Sequence, residues 1–93
     1  MASEALERRV RIVNPRGLHA RPCHAIASTA LSFGAEVSVE SEGQQVNAKS
    51  ILELMTLGAA QGAELCFRAE GGDAEALLQA LEKLVAGGFG EST

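Results

Sequence analysis

Ala35-Glu36-Val37-Ser38-Val39-Glu40-Ser41, followed by Glu42-Gly43 and then Gln44-Gln45-Val46-Asn47, decides the architecture of this 93-residue chain. Val37 and Val39 alternate with Glu36, Ser38 and Glu40, the period-two pattern of a half-buried strand. Glu42-Gly43 is turn chemistry, so the stretch predicts an antiparallel hairpin with one face on a core and the other in water. Two further segments alternate in the same way, Arg9-Val10-Arg11-Ile12-Val13 and Glu64 to Glu70, the latter with Leu65, Phe67 and Ala69 inward. Helical spacing fills the gaps between them. Cys23, Ile26, Ala27, Ala30 and Leu31 recur before Gly34, and a last helix runs from an N-cap at Asp73 through Leu77, Leu78, Leu81, Leu84 and Val85 to a stop at Gly87-Gly88. The order β-α-β-β-α-β-α predicts an α+β fold with its helices on one face of the sheet. Glu36, Glu40, Glu64 and Arg68 are expected on the wet face, and Phe89 to Thr93 as a loose tail.

Composition bounds the possibilities. With 46% hydrophobic residues, 93 positions suit one domain spanning 1–93 and one core, too short for a nucleotide-binding domain as well. A net charge of -4 and few, scattered basic residues speak against nucleic acid. No apolar run approaches the ~20 residues of a membrane span. Met1-Ala2-Ser3-Glu4-Ala5 lacks the basic and apolar regions of a secretion signal, so a cytoplasmic location is expected. Two cysteines, Cys23 and Cys66, are too few for a disulfide framework and read as small core fillers.

The chemistry concentrates in Gly17-Leu18-His19-Ala20-Arg21-Pro22. Asn14-Pro15-Arg16-Gly17 is turn chemistry, and Pro22 favours a first helical turn, where N–H groups lack partners. His19 is therefore expected at or just outside a helix N-cap, half in solvent. The free amides and the positive end of the helix dipole form an anion site that a phosphoryl group on the neighbouring imidazole can occupy. An unperturbed imidazole is largely neutral at pH 7, leaving a ring lone pair for attack. Phosphoryl transfer spreads negative charge over equatorial oxygens, which Arg21 and the amides can stabilise. The plainer alternative is a histidine that only caps or packs in a loop. A Cys–His pair from His19 and Cys23 lacks an orienting third group. A metal site from His19, Cys23 and His24 is set aside, because adjacent helical positions point roughly 100° apart.

A second motif begins at Ser50, where Glu53 three residues later completes a capping-box pattern ahead of Ile51-Leu52-Glu53-Leu54-Met55-Thr56-Leu57. Capping explains this serine fully on its own, although a phosphoryl dianion at a helix N-terminus would also be stabilised. Its apolar residues occupy more than the ~100° stripe a surface helix buries. With Leu54 and Leu57 inward, Ile51, Leu52 and Met55 form an exposed patch, unless a loop covers it.

Gly17 to Pro22, together with Asn47-Ala48-Lys49-Ser50-Ile51-Leu52-Glu53-Leu54-Met55-Thr56-Leu57-Gly58 and Gly62-Ala63-Glu64-Leu65, resembles HPr, the histidine-containing phosphocarrier family of the phosphoenolpyruvate-dependent sugar phosphotransferase system. The likeness runs from about Glu7 to Gly87. It implies an open-faced β-sandwich, a four-stranded antiparallel sheet with three helices on one face. It further implies that His19 is phosphorylated through Nδ1, that Arg21 is its electrostatic partner, and that Ser50 is a regulatory serine modified by a dedicated kinase in some bacteria.

The same resemblance implies a monomer, no cofactor beyond the phosphoryl group drawn ultimately from phosphoenolpyruvate, enzyme I as donor and enzyme II A-type domains as acceptors. Docking would use Leu18, Ile51, Leu52 and Met55. Such a chain is a component carrying a phosphohistidine intermediate and not a stand-alone enzyme. It departs from the family at Cys23 and His24, where small or neutral residues are usual, and at Ser28, Leu31 and Glu53, where docking surfaces often carry lysine. Steering of acidic partners should therefore be weaker. The alternative from another class is a regulatory binding module, such as a nitrogen-related phosphocarrier or a catabolite-repression co-regulator, that signals through its phosphorylation state.

Overall fold

A computed structural model describes residues 4–91. Four strands, β1 (Leu6–Arg11), β2 (Glu36–Ser41), β3 (Gln44–Asn47) and β4 (Glu64–Glu70), alternate with three helices, α1 (Ala20–Leu31), α2 (Ile51–Met55) and α3 (Ala74–Ala86). The strands form one antiparallel sheet in the order β1-β4-β2-β3. The helices pack on one face of it and on each other, α1 against both α2 and α3. Phe67, Leu65, Val39, Ile26, Leu54, Leu77, Leu78, Leu81 and Val85 are fully buried between the two layers. The expected α+β open-faced architecture is the observed one.

The hairpin that decided the reading is present, with Val39 opposite Val46 and Ser41 opposite Gln44. Its turn residues Glu42 (φ 52°) and Gly43 (φ 85°) both take the left-handed conformation of a two-residue primed turn, which suits the twist of the flanking strands. Glu36, Glu40, Glu64 and Arg68 lie exposed on the open face, as expected.

β1 differs from the expected Arg9–Val13. It pairs with β4 from Leu6 opposite Ala69 to Arg11 opposite Glu64, three residues earlier than the clean alternation suggested. The early half was hidden because Arg8 occupies an inward position: it escapes a charged core by donating to Glu82 and Glu75 of α3, each at 2.8 Å. After Arg11 the ladder ends, although Ile12 and the loop before β4 still exchange hydrogen bonds (Ile12 N–H to Ala63 at 2.9 Å, Gly62 N–H to Ile12 at 2.8 Å). Leu31, expected on the buried stripe of α1, is 64% exposed, because the core is completed by Ala30 and Phe33 instead. Cys66 is not a core filler. It stands half-buried on the open face of β4, one residue out of phase with Leu65 and Phe67, whereas Cys23 is buried.

Asp73 precedes α3 as expected but makes no side-chain cap on that helix. Its carboxylate accepts instead from the Gly34 and Ala35 N–H groups, both at 2.8 Å, and these bonds hold its pKa below the ordinary value. Part of the expected loose tail is ordered. Gly88 to Gly90 form a short 3-10 turn with Phe89 at φ 59°, and Glu91 follows it back toward α1, while Ser92 and Thr93 lie outside the described residues.

Candidate functional site

His19 is the N-cap of α1, extended at φ -87° and ψ -172°, and its side chain makes no capping bond to its own helix. Pro22 falls in the first turn, where an absent N–H costs nothing. The Ala20 and Arg21 amides have no acceptor among the described residues, and the first turn carries no acidic side chain. The N-terminus of α1 therefore presents free backbone donors and the positive end of the helix dipole beside an imidazole.

The turn that delivers His19 is held by a specific fit. Gly17 takes φ +65°, and a Cβ there would stand 2.5 Å from the Ala59 carbonyl oxygen and 2.9 Å from the Ala60 Cα, so only glycine fits. The Leu18 N–H donates to that same Ala59 oxygen at 2.9 Å, and the Gly17 N–H to Asn14 at 3.1 Å. Asn14, nearly fully buried, returns a side-chain bond from Nδ2 to the Gly17 carbonyl at 2.9 Å.

His19 was expected half in solvent, and its side chain is 24% exposed. Glu91 covers it, an acceptor the sequence reading missed. Glu91 Oε2 lies 2.7 Å from His19 Nε2, and Glu91 Oε1 accepts from Asn14 Nδ2 at 3.0 Å. Burial works to raise the Glu91 pKa, but hydrogen bonds from Asn14 and His19 and the nearby charges of His19 and Arg16 outweigh it and hold the carboxyl below its ordinary value. Arg21 is exposed on the first turn of α1, with no ion pair or hydrogen bond among the described residues.

Leu18 is a correction. Named with the exposed docking residues, it is only 6% exposed and belongs to the core, its backbone N–H tied to the Ala59 carbonyl. Ile51 (37%), Leu52 (79%) and Met55 (46%) are exposed on α2, with Leu54 buried beneath them. Ser50 caps α2 by accepting from the Glu53 N–H at 3.2 Å. The reciprocal half of the expected capping box is missing: Glu53 Oε1 accepts from the Asn47 N–H at 3.0 Å, since the Ser50 N–H is already bonded to the Asn47 carbonyl. Cys23 packs inward with Sγ 3.8 Å from the Leu18 carbonyl oxygen, and burial pushes its thiol pKa up. It is no partner for His19, and His24 points to solvent with Ser28.

A small α+β domain with an imidazole at the open N-terminus of a helix, beside an apolar patch on the next helix, has the arrangement of a group-carrying protein. Residues 6–87 match the family model described as "PTS HPr component phosphorylation site". The Phosphocarrier protein HPr of Neisseria meningitidis serogroup A is 40% identical over 86 residues, covering 92% of this chain and 97% of that protein. The Multiphosphoryl transfer protein of Vibrio cholerae is 44% identical over 84 residues, and this chain spans 21% of its length. Among solved structures, HPr-C-His of Thermoanaerobacter tengcongensis superposes with a TM-score of 0.89 at 41% identity, covering 95% of this chain and 99% of that one. The HPr of Bacillus anthracis gives 0.83 at 37% identity, with coverages of 87% and 96%. The chain belongs to the HPr family of phosphotransferase-system phosphocarriers.

Proposed function

We propose that His19 accepts a phosphoryl group from phosphorylated enzyme I and passes it to enzyme II A-type domains, the group deriving ultimately from phosphoenolpyruvate with no further cofactor. The observation that carries this reading is the placement of His19 as an N-cap that leaves the first-turn amides of Ala20 and Arg21 unpartnered. A tetrahedral dianion on the ring meets those N–H groups and the helix dipole, and the exposed Arg21 adds a mobile positive charge. Ile51, Leu52 and Met55 offer one adaptable apolar surface to donor and acceptors in turn, methionine suiting partners of different shape.

The protein acts as a cytoplasmic monomer, a single domain over residues 1–93 that carries a phosphohistidine and completes a reaction only with its partners. No helix among the described residues is long and apolar enough to cross a membrane. Ser50 is a modification site for a serine kinase, supported by its half-buried position at the N-cap of α2 beside the exposed Ile51 and Leu52. A purely regulatory module is the less favoured alternative, because the Neisseria relative that this chain matches over nearly its full length is named a phosphocarrier. Incubation with enzyme I and phosphoenolpyruvate should add one acid-labile phosphate, absent from His19→Ala; no mass gain with any enzyme I rejects the proposal.

A further inference from the structure

The two ring nitrogens of His19 are not equivalent in this structure. Nε2 faces Glu91 Oε2 at 2.7 Å, whereas Nδ1 makes no hydrogen bond among the described residues. We propose that Glu91 is a positioning residue that keeps the His19 proton on Nε2 and so presents the Nδ1 lone pair for phosphoryl uptake. The inference rests on the carrier reading above and deepens it, by adding a residue outside both sequence motifs.

A carboxylate has no proton to give, so a contact of this length to a ring nitrogen requires the nitrogen to donate. Glu91 is well set to remain a carboxylate. Both its oxygens are engaged, Oε2 by His19 and Oε1 by Asn14 Nδ2 at 3.0 Å, and its side chain is only 14% exposed. Asn14 is itself pinned, 3% exposed and bonded to the Gly17 carbonyl, so the acceptor is aimed by the same turn that aims the histidine.

The approach of Glu91 is built into the backbone. Gly88 (φ +66°), Phe89 (φ 59°) and Gly90 (φ +72°) are three consecutive left-handed residues that reverse the chain after α3. Left-handed conformation in a non-glycine residue such as Phe89 is strained and persists only where the surroundings enforce it. Here Phe89 packs against the core, and Gly88 lies beside Val13 and Asn14, where a Cβ would make ordinary van der Waals contact with both side chains at 3.6 and 3.8 Å. The reversal ends with the Glu91 N–H bonded to the Gly88 carbonyl at 3.0 Å.

The chemistry then balances without moving the proton. The Nδ1 lone pair forms the N–P bond while the bond from phosphorus to the donor's leaving group breaks, and that group departs with its electron pair. The ring becomes cationic, its Nε2 proton held against the Glu91 anion, as an orienting carboxylate supports an imidazolium elsewhere. On transfer, the acceptor's nucleophile attacks phosphorus, the N–P bond breaks, and its electron pair returns to Nδ1 with the Nε2 proton still in place.

The test reads the ring directly. Nitrogen-15 NMR of His19 in mildly alkaline buffer, with no donor present, should show the Nε2–H tautomer alone in the wild type and in Glu91→Gln, which keeps an acceptor oxygen. Glu91→Ala should show a mixture with the Nδ1–H form and take up phosphate about tenfold more slowly from enzyme I, the usual scale for losing an orienting partner. A Glu91→Ala ring indistinguishable from the wild type, or a wild-type ring protonated on Nδ1, overturns the proposal. Because the tautomer is read before any phosphate is offered, a failure of enzyme I to charge the protein counts against the carrier reading and not against this one.

Discussion

The N-termini of α1 and α2 begin from similar extended caps and finish their first turns in opposite ways. Ser50 at ψ 113° turns its hydroxyl onto the Glu53 N–H and closes α2 on itself. His19 at ψ -172° makes no such bond, and its ring nitrogen Nε2 is engaged by Glu91 instead. A helix end that satisfies its own donors contributes stability and offers little to an anion, whereas an end left open gives up a cap typically worth ~1 kcal/mol and gains a place for charge. The protein thus uses one helix start as structure and its neighbour as chemistry.

The largest break in this contrast should come from Gly17→Ala, which adds a Cβ against the Ala59 carbonyl in a backbone region that L-residues rarely adopt. Strain and overpacking together should cost about 3 kcal/mol in chemical denaturation, and phosphoryl uptake should fall with the displaced His19 turn. Next in size, Leu52→Asp removes the most exposed apolar residue of α2 without touching the core. It should weaken charging by enzyme I about tenfold at low carrier concentration, the scale of a docking anchor, while the melting temperature stays within the small range of surface substitutions. A comparable loss with saturating carrier would assign Leu52 to the chemical step and erase the division between the two helix ends. Ser50→Ala should lower stability by about 1 kcal/mol through the lost cap and leave His19 phosphorylation unchanged.

What was legible in the chain was local. The Val37/Val39 alternation, the Glu42-Gly43 turn, the Leu77 to Val85 stripe and the cap at Ser50 each depend on neighbours within a few positions, and all four stand in the structure. The histidine turn was legible for the same reason, since glycine, histidine and proline constrain backbone at short range. What escaped depends on residues far apart. Arg8 is tolerated on the inner side of β1 only because α3 brings Glu75 and Glu82 to it, and no pattern around position 8 carries that information. Leu18 reads as exposed beside an exposed histidine until the loop at Ala59 covers it. Glu91 lies 72 positions from His19, and the only hint was the Gly87-Gly88-Phe89-Gly90 run, read as a helix stop and a loose end when it is a reversal.

The smallest effect is also the most selective, since of the two cap side chains only His19 is bonded to a carboxylate. The Glu91 pKa lies below its unfolded value, so across the interval between the two values the unfolded chain binds the proton and the folded chain does not. The resulting stability is present in full above the ordinary carboxylate range and is lost as pH falls through the depressed folded value. Asp73, bonded to the Gly34 and Ala35 amides, is shifted the same way and adds to the same acid limb. The Ser50 hydroxyl does not titrate, so its bond to the Glu53 N–H contributes equally on both sides of that limb. Denaturation midpoints should therefore decline on acidification below the carboxylate range, with the decline shallower in Glu91→Gln and unaltered in Ser50→Ala. If the Ser50→Ala curve flattened instead, the pH-dependent contact would belong to α2, and the division of labour between the two helix starts would have to be reversed.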